Sequence, residues 1–139
     1  MRRATAARAS ALAVGLAASI TRVVSPEWTI AHYNPKLPAV FSTPAMIGLM
    51  EVAAARAVQP CLPRGTITVG TRIEVDHLKA VPAGVRVRAS ARLKKIDGRF
   101  LVFEVEARSG RQVIGRGRVF RAIVRPERFA AKAAGRGRA

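Results

Sequence analysis

The sequence predicts an α+β fold in which an antiparallel sheet wraps around one long central helix. Residues 44–58 have apolar side chains on every side of a potential helix, so this helix must be enclosed rather than half exposed. Residues 66–124 consist of runs in which apolar and polar residues alternate, and short turns separate these runs. This is the pattern of antiparallel strands. With 139 residues, the chain is long enough for one such domain.

The N-terminal part is predicted to contain an extension and the first strand. Residues 1–13 are basic and are expected to be a flexible extension, and residues 14–129 are expected to form the domain. The apolar run at residues 11–18 has some features of a targeting segment. Residues 19–24 continue that run as a plausible first strand, so cleavage there would damage the domain. No stretch is long enough to span a bilayer, and no membrane partner is expected.

A covering segment and then the helix are predicted next. Residues 27–38 mix prolines with polar residues, which favours a lid or a connection. The helix should begin at Pro44, because the Thr43 hydroxyl can cap the free amides and proline is tolerated at the first helical position. Pro60 and Pro63 end it.

The strand pattern is clearest in residues 66–77. Odd-numbered positions are mostly apolar and end at His77, which predicts that this histidine faces the helix. Asp97 and Gly98 form a good hairpin turn, as expected between two antiparallel strands. After the last strand, residues 130–139 are small, basic and glycine-containing, so a disordered tail is expected.

The chain is strongly basic, with 25 Lys and Arg against 8 Asp and Glu and a formal net charge of +17. This balance attracts polyanions such as nucleic acids, acidic membranes and phosphorylated small molecules. Many of the basic residues fall on outward positions of strands, where solvated charge is ordinary. Since neither aromatic interleaving nor a glycine-rich phosphate loop accompanies them, no specific nucleic-acid partner is expected.

Cysteine and histidine are scarce. Cys61 is the single cysteine, which excludes an internal disulfide, fits a reducing compartment and favours a cytoplasmic location. His32 and His77 are the two histidines, and carboxylates are few, so neither a metal site nor a cofactor is predicted.

Glu51 is an unusual residue for its position. It is the only charged side chain in residues 44–55, on a helix that should be buried, and an unpaired buried carboxylate is costly. Arg56 is five positions away, so it is not the three- or four-residue neighbour that would pair with it. Either another segment satisfies Glu51 in a structural ion pair, or the carboxylate serves chemistry.

His77 and Thr43 each have two interpretations. An inward-facing His77 is a candidate general acid or base, and the alternative is a core histidine with satisfied hydrogen bonds. Helix capping alone would explain Thr43, although a capping hydroxyl can also be reactive.

An ordered series of residues carries a family resemblance. The series comprises Val40-Phe41-Ser42-Thr43, Met46, Gly48-Leu49-Met50-Glu51, Arg56, Pro60, Gly70-Thr71, His77, Pro82 and Gly84. In this order and spacing, over residues 23–129 and without an internal gap, the sequence resembles the fluoroacetyl-CoA thioesterase family.

The resemblance implies a hotdog-fold dimer, with further pairing into a tetramer left open, that hydrolyses a short acyl-CoA thioester. The residues that match the family's catalytic positions are Thr43, Glu51 and His77, and Gly70 and Arg121 match substrate-contacting positions. The lid departs from the family's namesake, because Asn34 and Leu37 replace two aromatic residues. Selectivity for a fluorinated acyl group is therefore not expected.

The implied chemistry is physically coherent. Thr43 lies at the amino end of the helix, where free amides and the dipole can stabilise a developing oxyanion. Glu51 is expected to act as base or transient nucleophile, and His77 to orient Thr43 or to protonate the leaving thiolate. Eight helical residues span about 12 Å, too far for Thr43 to contact Glu51, so we hypothesise a site shared by two protomers.

Arg121 shares strand parity with Val119 and Ile123, so it is expected to face the substrate groove and to hold coenzyme A phosphates at the mouth of that groove.

Three other functions remain open from the sequence. They are a non-catalytic acyl-CoA-binding module, a basic nucleic-acid-binding protein and, on the same fold, an enoyl-CoA hydratase, although the Asp/His pair usual for hydration is not evident. The acyl group, and the choice between coenzyme A and a carrier protein, are not specified.

Overall fold

Five antiparallel strands form one sheet around a long helix in the computed structural model, which describes residues 11–135. The strands are β1 (Ala17–Val23), β2 (Ile67–His77), β3 (Arg86–Asp97), β4 (Phe100–Ser109) and β5 (Gln112–Val124), and their order across the sheet is β1-β3-β4-β5-β2. The helices are α1 (Thr43–Val58) and α2 (Pro126–Gly135), and short 3-10 turns occur at Pro26–Trp28, Ile30–His32 and Gln59–Cys61. The predicted architecture is confirmed.

One side of helix α1 is packed against the sheet. The buried residues on that side are Met46, Leu49, Met50, Ala53, Ala54, Ala57 and Val58. The opposite side is less covered than its composition predicts: Pro44, Gly48 and Val52 are exposed, with Val52 at 39%. We call these three residues the α1 strip. A single chain therefore leaves apolar helix surface in water, which costs free energy in proportion to its area.

The start of α1 differs from the prediction in one residue. The N-cap is Ser42 rather than Thr43, and its hydroxyl oxygen accepts a hydrogen bond from the Ala45 amide at 3.2 Å. Thr43 is already the first helical residue, followed by Pro44. Because Ser42 supplies the capping oxygen, the Thr43 hydroxyl is available for another contact.

Strand β2 contains a bulge that the alternation did not predict. The register with β5 shifts at Thr71, which lies between Gly70 and Arg72 and adds one residue to the strand. An extra residue reverses the side to which the following side chains point. The predicted inward face is therefore wrong for residues 67–71, whose even-numbered members face α1, and right for the half that ends at His77.

The chain termini are only partly described. Most of the expected extension at residues 1–13 lies outside the described residues, and so does the end of the chain at 136–139. In the segment where we expect disorder from residue 130 onward, α2 continues through Gly135. Its proline at the start and its alanines and lysine favour this helix. Neither helix in residues 11–135 has the length and hydropathy needed to cross a membrane.

Candidate active site

Thr43 and His77 form a hydrogen-bonded pair at the amino end of α1. The Thr43 hydroxyl oxygen lies 2.7 Å from Nδ1 of His77, the last residue of β2. The imidazole tautomer decides which atom donates the proton. Thr43 is exposed and His77 is half buried, so the pair opens toward a reactant while part of it is shielded from water.

The second ring nitrogen of His77 has an unmet hydrogen-bonding need. Nε2 is buried and makes no hydrogen bond within residues 11–135. A buried polar atom without a partner is rare and calls for a water, a ligand or another chain. The alternative of a core histidine with satisfied hydrogen bonds is therefore not met by these residues.

Aromatic packing and backbone pairing hold the His77 ring in place. The ring meets the buried Phe41 ring edge-on, with centroids 6.5 Å apart and an interplanar angle of 80°, and Phe41 in turn contacts Trp28 at 6.4 Å. The Phe41 amide donates to the Val81 carbonyl at 2.7 Å, and the Ser42 amide donates to the Trp28 carbonyl at 2.8 Å. The covering segment predicted before the helix is thus tied to the residues that carry the Thr43–His77 pair.

Glu51 and Arg121 form a second cluster. Nη1 of Arg121 donates to Oε1 of Glu51 at 2.8 Å, and their side chains are 9% and 26% exposed, respectively. Arg121 lies on β5, so a remote strand supplies the charge partner that the helix itself lacks. The cost of placing a carboxylate on an apolar helix is met by this ion pair.

Thr68 fixes the guanidinium of Arg121 by two contacts. Nε of Arg121 donates to the Thr68 hydroxyl oxygen and Nη2 donates to the Thr68 carbonyl, each at 2.8 Å. All three guanidinium nitrogens are therefore engaged, and Arg121 is buried. Arg121 faces the interior of the fold as its strand parity predicts, but the expected role in holding phosphates at the groove mouth does not fit a buried, fully engaged side chain.

Gly70 gives the Glu51 carboxylate its space. A Cβ atom at Gly70 would collide with Oε2 of Glu51 and would lie 3.6 Å from Nη1 of Arg121. The position therefore requires glycine for close approach rather than for backbone conformation. Gly70, Glu51 and Arg121 are brought together as neighbours, and we call them, with Thr68, the carboxylate cluster.

The two clusters are far apart within one chain. Thr43 and Glu51 are separated by about 12 Å of helical rise. Gly70 and His77 are seven residues apart on β2, which corresponds to roughly 20 Å along a strand. The predicted catalytic residues are thus divided between the Thr43–His77 pair at one end of β2 and the carboxylate cluster toward the other.

The roles of Thr68 as a partner of Arg121 and of Ser42 as the N-cap of α1 were not predicted from the sequence. Regular alternation without a bulge predicts that Thr68, at an even position, lies on the outward face. The available signal was Gly70, since a glycine inside a strand pattern often marks a bulge or a close approach.

For metal binding, residues 11–135 contain no cluster of three His, Cys, Asp or Glu side chains that could hold an ion.

Comparison with known proteins identifies relatives over most of the chain. The family model described as fluoroacetyl-CoA-specific thioesterase matches residues 24–127. A fluoroacetyl-CoA thioesterase from Streptantibioticus cattleyicolor is 40% identical over 116 residues, which cover 79% of this chain and 84% of the relative.

Solved structures show the same fold. A structure of a fluoroacetyl-CoA thioesterase superimposes with a TM-score of 0.84 at 37% identity, covering 90% of this chain and 97% of the other. A thioesterase superfamily member from Thermus thermophilus gives 0.80 at 30% identity, with coverages of 88% and 90%. A hot-dog-like protein from Thermanaerovibrio acidaminovorans gives 0.80 at 24% identity, with coverages of 88% and 91%, and supports the fold alone. The hotdog fold expected from the resemblance is confirmed.

Proposed function

The chain belongs to the fluoroacetyl-CoA-specific thioesterase family, and from this premise we propose that it hydrolyses small acyl-CoA thioesters to the free acid and coenzyme A. The observation that carries the proposal is the Thr43–His77 hydrogen bond at the amino end of α1, together with the unpartnered Nε2 of His77. A hydroxyl paired with an imidazole is a common arrangement for moving a proton during acyl transfer.

In the proposed mechanism, the two clusters divide the work. In one route the Glu51 carboxylate attacks the thioester carbonyl carbon as a transient nucleophile. In the other it acts as the base that removes a proton from the water molecule that attacks this carbon. The amino end of α1 and the Thr43 hydroxyl stabilise the oxyanion that develops. When the carbon–sulfur bond breaks, His77 supplies a proton to the thiolate, which leaves as the free thiol. In the base route the attacking water becomes part of the acid product. In the nucleophile route the acyl group stays on Glu51 as an anhydride, which a water molecule then cleaves to release the acid and restore the carboxylate.

Gly70 and Arg121 are proposed to position the acyl group. The absence of a side chain at Gly70 lets the Glu51 carboxylate lie directly against β2. Arg121 holds one carboxylate oxygen by a charge-assisted bond and leaves Oε2 without a hydrogen bond among the described residues. A small acyl group bound beside Oε2 would be within reach of the carboxylate.

We propose a broader acyl preference than a fluorinated group. The Asn34 side chain accepts a hydrogen bond from the Lys36 amide at 3.0 Å, so it is turned toward its own loop. Leu37 is 41% exposed and does not belong to the core. The two lid positions that depart from the family's namesake therefore offer neither an aromatic ring nor a firm apolar cover.

We also propose that the enzyme works as a dimer. β2 is an edge strand, paired with β5 on one side and free for pairing on the other. Next to it are the exposed α1 strip and Ile73, which is 38% exposed on the helix side of β2. A second copy placed against this edge would hydrogen-bond to the unpaired side of β2 and would also cover the exposed apolar surface.

A two-fold arrangement of this kind would complete the active site. If two β2 strands pair antiparallel about their midpoints, the Gly70 end of one lies beside the His77 end of the other. Glu51 and Arg121 of one protomer would then face the partner's Thr43 and His77. The roughly 20 Å that divide the clusters within one chain would be removed by the symmetry of the dimer.

The test of the activity is thiol release from a panel of acyl-CoAs of increasing chain length, with His77→Ala as the blank. Turnover of the short members that the blank lacks supports a thioesterase. Binding of acyl-CoA without turnover would instead indicate a non-catalytic module, and salt-sensitive nucleic-acid binding without any acyl-CoA effect would indicate a different function altogether.

The test of the shared site uses mixed dimers. Thr43→Ala and Glu51→Ala chains are each inactive in the proposal, and co-refolding equal amounts should restore about a quarter of wild-type activity, because half of the dimers are mixed and each has one intact site. Mixed dimers without activity would mean that each site is built within one chain.

We propose a cytoplasmic location, because a single cysteine, Cys61, fits a reducing compartment. Cell fractionation checks this location.

A further inference from the structure

A groove separate from both clusters lies between α2 and the outer face of the sheet. Its volume is about 760 Å³, within the range of small-molecule sites, and α2, β2, β5 and the β3–β4 turn contribute to its walls. We call it the α2 groove. Val69 and Thr71 lie on its floor, whereas Thr68 and Gly70 between and beside them face α1. Because neighbouring strand residues point to opposite faces, the sheet separates the groove from the carboxylate cluster.

The α2 groove is lined by positive charge from separate elements. Arg99 comes from the β3–β4 turn, Arg125 follows β5, and Arg128 and Lys132 are one turn apart on α2. No carboxylate lines the groove, and none of these four cations forms an ion pair within residues 11–135. Cations that converge without counter-charge repel one another and favour a multiply charged anion.

The groove also exposes aromatic and apolar surface. Phe100 and Phe129 line it from the sheet and from α2, and each is 47% exposed. No residue of α2 is buried, so the helix does not close over the sheet surface that it faces. The Arg99 guanidinium lies over the Phe100 ring, 4.9 Å from its centroid. A ligand with a flat ring would cover Phe129 and the remaining face of Phe100 and remove apolar area from water.

We propose that the α2 groove binds a nucleoside phosphate, with the base against Phe100 and Phe129 and the phosphates held by Arg128, Lys132 and the neighbouring arginines. Four cations exceed what a single fatty-acid carboxylate requires, and Phe129 lines the groove instead of projecting away as a membrane anchor would. The ligand can be a free nucleotide or the nucleotide end of coenzyme A, which present the same chemistry. The proposal concerns binding alone and does not depend on the proposed hydrolysis.

The experiment is isothermal titration calorimetry on the full chain at low salt with adenosine 3′,5′-bisphosphate. The variant Arg128→Ala/Lys132→Ala should weaken binding at least tenfold, since two charge-assisted contacts are lost. The matched control Arg86→Ala/Arg111→Ala removes the same charge from exposed positions outside the groove and should change affinity less than threefold. Both variants place alanine at exposed positions, and an unchanged melting temperature checks that each folds.

Further ligands decide what the groove recognises. Adenosine alone and pyrophosphate alone should each bind at least tenfold more weakly than the bisphosphate. In the Phe129→Ala variant, the bisphosphate should bind no more tightly than pyrophosphate. Binding of coenzyme A equal to that of the bisphosphate identifies the nucleotide end of coenzyme A as a sufficient ligand, whereas tighter binding of ADP than of either identifies a free nucleotide.

Several results would overturn the proposal. Equal affinity for pyrophosphate and bisphosphate would mean that charge alone is recognised, and equal losses in the two double variants would mean that binding follows net charge. Association with phosphatidylserine vesicles through Arg128 and Lys132, without nucleotide binding, would make the surface a membrane contact. The titration is repeated with His77→Ala, in which nucleotide binding should persist, so that a failed hydrolysis assay and a failed groove are told apart.

Discussion

The Arg121 guanidinium lies 2.8 Å from the Glu51 carboxylate across a separation of 70 residues in the chain. One partner comes from the central helix and the other from the last strand, and both are largely shielded from water. This ion pair joins the two layers of the fold and fixes the orientation of the proposed catalytic carboxylate.

Replacing Arg121 by methionine should destabilise the fold by leaving the Glu51 charge unpaired. We expect the free energy of unfolding to fall by about 1–3 kcal/mol, below the range for fully buried pairs because Glu51 retains some exposure. The additional change Glu51→Gln should recover part of the loss. Urea unfolding of the two single variants and the double variant measures this, and strictly additive losses would contradict a direct pairing.

The Thr43–His77 pair should behave as one unit in catalysis. Thr43→Val keeps the shape of the side chain but removes the hydroxyl, and we expect kcat/KM to fall by about 100-fold or more. His77→Ala should have a similar effect, and the double variant should be little worse than either single one. Thr43→Ser, which retains the hydroxyl, is the matched control. Multiplied losses in the double variant would show that the two side chains act independently.

Thr68 is expected to act as a positioning residue through Arg121. Thr68→Val removes the hydroxyl that accepts from Nε of Arg121, and it should lower kcat about tenfold with little change in KM, because the carboxylate is less precisely held. Thr68→Ser restores the acceptor and should restore kcat. If the serine variant is as slow as the valine variant, then packing of the methyl group rather than the hydrogen bond is the cause.

Gly70→Ala should force the Glu51 carboxylate out of place. We expect a loss of stability of about 1–3 kcal/mol, as for overpacked sites, and a strong fall in activity. In a Glu51→Ala background the colliding group is absent, so the same substitution should cost almost nothing. Thermal unfolding of the four chains tests the interpretation, and an equal cost in both backgrounds would place the collision elsewhere.

A charge in the α1 strip should separate the proposed dimer. Val52→Lys places an ammonium group on the exposed apolar side of α1, where it is harmless in a single chain but is desolvated when a second copy covers it. We expect a shift to monomer in analytical ultracentrifugation, with loss of activity and retained circular dichroism. Val14→Lys, at a position that is 59% exposed, is the control. An active monomeric Val52→Lys variant would argue against a shared site.

Much of the fold could be predicted from the chain because it depends on local patterns. An apolar stretch ending at two prolines specifies a helix that must be covered, and alternating runs with Asp-Gly and Ser-Gly turns specify the antiparallel strands. Glu51 and His77 were recognisable as candidates for the same reason, since each is conspicuous against an apolar background.

Tertiary structure decided the features that depend on register and on remote contacts. Ser42 rather than Thr43 caps α1, the bulge at Thr71 reverses the face of β2, and Arg121 is held by Thr68 against Glu51. Predictions from alternation assume a regular strand without bulges. The local sequence also does not indicate which of the many arginines pairs with a given carboxylate. Those outcomes are set when strands align and side chains compete for the same buried space, which happens only in the folded chain.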